Sequence, residues 1–181
     1  METPRSAATH VTLTQRHGMP GKYAAYLWKN IAIIVWFDGP TLESLRSFER
    51  GSQEMIAEHP EGLSSINILV PGGRLPTPAA RRELSRILDA HAPHHAGSAI
   101  VMRGDGFFAS ALRGLLTALQ LLQRKTIPQQ VFSDYETAVT WLLRLHAVRT
   151  TETLDSTELL AALRQVDAVC VSNTRDHVRA G

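Results

Sequence analysis

Continuous hydrophobic runs alternate along the chain with segments in which hydrophobic residues recur every three or four positions. The clearest run, residues 31–37, consists of β-branched, aromatic and alanine residues without a polar break. Such a run is typical of a central strand that is buried on both faces. Lys29 and Asn30 precede it and predict a hairpin turn from an earlier strand that ends at Trp28.

Three more strands are predicted downstream, at residues 65–70, 98–102 and 127–132, and each is followed by a segment with helical periodicity. Strands that alternate with helices of this length predict an α/β fold with a mixed, mostly parallel β-sheet and helices packed against it. Before the first hydrophobic run, an alternating stretch at residues 10–14 indicates a short strand on an otherwise loose arm.

These patterns divide the chain into an N-terminal arm at residues 1–22, one α/β domain at residues 23–149, and a linker, helix and tail at residues 150–181. A capping box at residues 155–158 opens the last helix. Its hydrophobic stripe either packs on its own domain or binds a partner, which includes a second copy of the chain.

Capping residues mark two of the earlier helix starts. Thr77 followed by Pro78 is typical of an N-cap with proline at the first helical position. Ser133 and Glu136 have the spacing of a capping box, which predicts Ser133 as the N-cap.

Composition excludes several classes of protein. The chain has 181 residues, 44% of them hydrophobic and 20% charged, which suits one globular domain with appendages. Its formal charge of +2 gives no strong nucleic-acid footprint. The longest apolar run has seven residues, far short of the roughly 20 that a membrane-spanning helix needs. The single cysteine and a start without an apolar leader favour the cytoplasm.

No catalytic constellation is recognisable, and we expect neither an enzyme nor a bound cofactor. Cys170 lies between valines, an apolar setting that raises the pKa of a thiol. His91, His94 and His95 are close in sequence, but Pro93 breaks the spacing that brings two imidazoles onto one metal ion. We therefore expect no metal site and interpret the three as solvated histidines at a helix end, where cationic groups are favoured.

Glycine turns follow two of the predicted parallel strands. Gly72 and Gly73 follow one strand, and Gly104, Asp105 and Gly106 follow the next. Carboxyl ends of parallel strands share one sheet edge, where open α/β sheets place ligands. These turns either bind a nucleotide or another anion through backbone N–H groups or are simply tight turns.

Arginine dominates the basic residues, with sixteen arginines and three lysines. Arg74, Arg81 and Arg82 lie around the start of the second helix. Such a group is suited to an acidic partner or a phosphate, although ordinary solvated arginines give the same pattern.

The order of elements from residue 31 to about residue 145 resembles the STAS domain, the fold of anti-sigma-factor antagonists and of sulfate-transporter cytoplasmic tails. It looks most like the divergent bacterial branch described as STAS-like or SpoIIAA-like. The final strand and helix carry a phrase common in that family, Val-Phe-Ser-Asp-Tyr-Glu-Thr-Ala at residues 131–138. The resemblance implies a non-enzymatic cytoplasmic regulatory module that docks a protein partner.

The phosphorylated serine of anti-sigma-factor antagonists has no counterpart, because the equivalent stretch reads Pro-Thr-Pro-Ala-Ala at residues 76–80. Thr77 is the nearest hydroxyl and the candidate phosphorylation site, where the helix dipole and nearby arginines would favour a phosphate. The partner surface expected from the resemblance is made by Arg74, Thr77, Arg81 and Arg82.

Overall fold

Six strands form one mixed sheet in the computed structural model, which describes residues 11–71, 73–102, 114 and 127–179, with residues 171–179 as backbone alone. In spatial and chain order they are β1 (Thr14–Met19), β2 (Tyr23–Trp28), β3 (Ile31–Trp36), β4 (Leu63–Leu69), β5 (His95–Met102) and β6 (Gln129–Phe132). The first three strands pair antiparallel, and β3 to β6 pair parallel. The predicted α/β class with a mixed, mostly parallel sheet is confirmed.

Four α-helices occur in the part of the chain that the structure describes. They are α1 (Leu42–Glu58), α2 (Pro78–His91), α3 (Tyr135–Thr150) and α4 (Ser156–Arg179), and a short 3-10 turn, Ala92–His94, joins α2 to β5. The helix predicted after β5, at residues 108–122, lies outside the described residues. No helix among those described is long and apolar enough to cross a membrane.

The predicted central strand is confirmed as β3, all six residues of which are buried. Its position is explained by its composition, since a strand without polar residues must be covered on both faces. The predicted hairpin is also confirmed, with Trp28 opposite Ile31 across a turn in which Lys29 has a φ of +50°.

Alternate residues of the strands face opposite helical layers. On one face, which we call the α1–α2 face, Ala32, Ile34 and Trp36 pack with α1 and α2. On the other, the α3–α4 face, Ile31, Ile33 and Val35 belong to a buried cluster with residues of α3 and α4, including Leu142 and Leu159.

The N-terminal strand is displaced from its predicted position. The alternating stretch at residues 10–14 predicted the strand there, but β1 is Thr14–Met19 and pairs antiparallel with β2. Residues 14–19 of the predicted arm therefore form an edge strand of the sheet. The alternation misplaced it because Val11 and Leu13 pack against the hydrophobic cluster of the α3–α4 face without belonging to the strand.

The start of α3 also differs from the prediction. Asp134, not Ser133, is the N-cap, and its Oδ1 accepts a hydrogen bond of 2.8 Å from the backbone N–H of Thr137. A carboxylate at this position receives the free N–H groups of the first turn and is favoured by the helix dipole.

The alternatives for the last helix are resolved in favour of its own domain. Leu159, Leu163 and Val166 of α4 are fully buried in the cluster beneath α3 and α4. Asp155 precedes the helix, and its Oδ1 accepts from the backbone N–H of Glu158 at 2.9 Å. The segment thus completes the core on the α3–α4 face.

Candidate functional site

The start of α2 has the predicted cap. Thr77 is the N-cap, its Oγ1 accepts from the backbone N–H of Ala80 at 3.2 Å, and Pro78 is the first helical residue. The side chains of Thr77 and Arg82 are exposed and that of Arg81 is half-buried. The ion pairs of the described residues include neither Arg81 nor Arg82, so both guanidinium groups are free to meet an acidic group.

Arg74 has a different environment from the other two arginines. Its guanidinium forms a 2.8 Å ion pair with Asp38 in the loop after β3, and its backbone N–H donates to the same carboxylate at 3.0 Å. Lys22 Nζ and the backbone N–H of Gly39 donate to Asp38 as well. The hydrogen bond from Arg74 and then that from Lys22 hold the pKa of Asp38 far below its usual range. Arg74 is therefore ion-paired to the loop after β3, although 78% of its side chain is exposed.

The loops after β3 and β4 pack closely against each other, which explains why glycine occupies positions 39 and 73. A Cβ added to Gly39 would lie 1.6 Å from the carbonyl oxygen of Arg74, and one added to Gly73 would lie 3.3 Å from the Cα of Asp38. At Gly73 the space that a side chain would need is thus filled by the backbone of Asp38 and Gly39. Gly72 and the predicted turn of Gly104, Asp105 and Gly106 lie outside the described residues.

Two exposed leucines flank this edge of the sheet. Leu42, the first residue of α1, is 40% exposed, and Leu75, just before the cap of α2, is 48% exposed. Sequence reasoning gave no role to either leucine. For Leu75 the available signal was its position between Arg74 and a proline, outside any periodic segment.

A cavity of about 140 Å³ lies between the sheet and helices α1 and α2. Most of its lining is apolar, but the strands also contribute polar side chains, which are Ser65, Asn67, Ser98, Gln129 and the imidazole of His95. Ser65 and Ser98 lie opposite each other in the parallel register of β4 and β5, and both are buried. Sequence reasoning missed this cavity, although polar residues in otherwise hydrophobic strands were its visible trace.

Three of these polar side chains form one hydrogen-bonded network with Trp36. Ser65 Oγ and Ser98 Oγ are 3.0 Å apart, and Asn67 Nδ2 donates to Ser98 at 3.0 Å and to Ser65 at 3.4 Å. Trp36 Nε1 donates to Asn67 Oδ1 at 3.2 Å. We call these four residues the polar floor of the cavity.

Two histidines line the same cavity and correct the prediction of solvated helix-end imidazoles. His91 is only 5% exposed and stacks on His95, with ring centroids 5.9 Å apart. Burial is the main cause that lowers the pKa of each to about 4, so both imidazoles are uncharged at neutral pH. His94 is exposed. Among the described residues no three His, Cys, Asp or Glu side chains are placed to hold a metal ion.

The cysteine has the environment that the sequence predicted. Burial, and then the charge of Asp167, raises the pKa of Cys170 to about 11. The thiol is therefore protonated at neutral pH and poorly suited to act as a nucleophile.

In comparisons with known proteins, no family model, no curated protein and no solved structure matches the chain. Any functional interpretation therefore rests on the chemistry of the described residues and on the resemblance of the element order.

Proposed function

We propose that this protein is a non-enzymatic, cytoplasmic regulatory module of STAS-like fold that docks a protein partner at the carboxyl edge of its sheet. The docking surface consists of Leu42, Leu75, Thr77, Arg81 and Arg82, and we call it the edge surface. The order of strands and helices supports the STAS-like assignment, and the single cysteine in a half-buried, apolar setting supports the compartment.

The exposed leucines carry the proposal. Four large hydrophobic residues are exposed in the described part of the chain, and two of them, Leu42 and Leu75, follow the neighbouring strands β3 and β4 at the same edge. The other two, Val148 and Val169, lie on α3 and α4. Apolar side chains gathered beside arginines are typical of the centre of a protein interface.

Charge defines the kind of partner. Arg81 and Arg82 lie in the first turns of α2, where the helix dipole adds partial positive charge. Arg74 and Lys22 share the carboxylate of Asp38, so this group of three side chains adds one net positive charge. We expect the partner to present carboxylates around at least one apolar side chain. Control of docking by phosphorylation of Thr77 stays a prediction, since a phosphate there would offset the same positive field.

A matched pair of double variants tests the proposal. Leu75→Ser with Arg82→Glu alters the edge surface and leaves the Arg74–Asp38 pair intact. Arg144→Glu with Val148→Ser makes the same kinds of change at exposed positions of α3. Each variant is compared with wild type by cross-linked affinity capture from the native cytoplasm, followed by mass spectrometry.

We expect a partner that is retained by wild type and by the α3 variant and lost from the edge variant. A partner retained equally by all three proteins would exclude the edge surface, and the absence of any specific partner would exclude the docking function.

A further inference from the structure

The cavity on the α1–α2 face has room for a ring. Its volume of about 140 Å³ is close to that of an engineered apolar cavity of about 150 Å³ in another protein, which binds benzene. The lining reaches Pro40 and Pro76, two half-buried residues in the loops after β3 and β4. One end of the cavity therefore lies at the carboxyl edge of the sheet, close to the surface.

The walls select against charge. Most of their side chains are aliphatic, aromatic or thioether, among them Ile34, Phe48, Met55, Leu84 and Leu88. The polar side chains outside the floor are Ser52, Gln129 and the imidazoles of His91 and His95, which are uncharged at neutral pH. None of the described lining residues is Asp, Glu, Lys or Arg. A charged molecule that entered would lose its hydration without gaining an ion pair, which costs several kcal/mol or more. The walls thus favour an uncharged ligand.

The polar floor has one donor and one acceptor to spare. Trp36 supplies one N–H, Asn67 two and each serine one hydroxyl proton, which makes five protons. The four hydrogen bonds of the floor use four of them, so one serine hydroxyl proton has no side-chain acceptor among the described residues. In the same part of the chain, Asn67 Oδ1 accepts a side-chain hydrogen bond from Trp36 alone and keeps one lone pair. Ser65 and Ser98 are buried, and neither has another side-chain hydrogen bond among the described residues.

A hydroxyl group complements this floor, because it accepts one hydrogen bond and donates another. We propose that the cavity binds a small uncharged molecule, about the size of one aromatic ring, that carries a hydroxyl group directed at Ser65, Asn67 and Ser98. This site adjoins the edge surface, because Pro76 of its lining lies between Leu75 and Thr77, but it uses different side chains.

Three probes of similar ring size test the proposal on the full chain. Phenol, benzene and benzoate are titrated at pH 7 by calorimetry, and the Trp36 indole N–H signal is followed by NMR with a Trp36→Phe variant for its assignment. We expect phenol to bind with a roughly millimolar dissociation constant, as its few atoms allow. It should bind roughly fivefold more tightly than benzene, the value of about one neutral hydrogen bond, and benzoate should not bind.

Two variants assign the binding to the cavity. Leu88→Phe fills it with a ring and should abolish phenol binding, whereas Val148→Phe adds the same ring at an exposed position of α3 and should not. The triple variant Ser65→Ala, Asn67→Leu, Ser98→Ala leaves Trp36 as the one polar residue of the floor and should reduce the preference for phenol over benzene. Because the Trp36 N–H loses its acceptor, we expect this variant to be less stable by about 1–3 kcal/mol.

Some outcomes would overturn the proposal. These are no phenol binding by wild type, equal binding of phenol and benzene, or phenol binding that survives Leu88→Phe. If circular dichroism shows that the triple variant does not fold, the wild-type preference and the Leu88→Phe result decide the question. Loss of the protein partner in the edge variant is measured separately and leaves this test unaffected.

Discussion

On the α3–α4 face the strands present Ile33, Ile66 and Val101, each fully buried, whereas on the α1–α2 face strands β4 and β5 present the hydrogen-bonded Ser65, Asn67 and Ser98. Both sets belong to neighbouring strands of one sheet. The first packs with α3 and α4 in a continuous apolar cluster, and the second lines a cavity. The α3–α4 face thus provides most of the apolar packing, whereas the α1–α2 face retains buried polar groups and a cavity that packing alone does not require.

The largest expected effect is the difference between two leucine truncations, one on each face. Leu142 of α3 is fully buried, and Leu142→Ala should lower the free energy of unfolding by about 3 kcal/mol, since it opens a new cavity in close-packed surroundings. Leu84 of α2 is half-buried and lines a cavity that already exists, so Leu84→Ala should cost about half as much. Urea unfolding at neutral pH measures both, and equal costs would contradict the contrast between the faces.

Acid should destabilise the protein through His91 of the α1–α2 face. Its pKa is about 4 in the fold and near 6.5 when unfolded, so the unfolded chain binds more protons in the interval between them. The contribution of His91 to the free energy of unfolding is fully present above pH 6.5, and it falls by up to about 3 kcal/mol as the pH decreases to 4. Burial is the main cause of the lowered pKa of His91. The charge of Glu49 raises this pKa, and the charges of His94 and Arg86 lower it further.

The pH effect is measured from urea midpoints at pH 7 and pH 4.5. His91→Gln should make the protein less sensitive to pH. His146 on the α3–α4 face is also buried with a lowered pKa, but Glu152 and Glu61 counteract the effect of burial. His146→Gln should therefore reduce the sensitivity less than His91→Gln, and the opposite order would reverse this comparison of the faces.

Local sequence patterns predicted the elements that are determined locally. The unbroken run of β3 requires burial on both faces wherever the strand lies, and the Thr77-Pro78 pair specifies a helix start through contacts within one turn. The cap of α3 was misplaced by one residue because serine and aspartate are both good N-cap residues, and the backbone decides which of Ser133 and Asp134 takes that position.

The candidate sites depended on contacts that no local pattern contains. Arg74 meets Asp38 only because β3 and β4 are neighbours and their loops pack together. The Ser65–Ser98 hydrogen bond requires the register of two parallel strands, which alternation does not specify. His91 ends its helix, where solvation is common, and is buried by Phe48 of α1 and His95 of β5.

The smallest expected effect concerns one cap on the α1–α2 face. Thr77→Ala removes the acceptor for the Ala80 N–H and should lower the free energy of unfolding by about 1 kcal/mol, while Thr77→Ser keeps the acceptor and should lose much less. Hydrogen exchange should speed up in the first turn of α2 and stay unchanged in α3, whose cap is Asp134. Faster exchange in both helices would mean that the two faces open together. In that case the two faces would still differ in their polar and apolar side chains, but they would not differ in local stability.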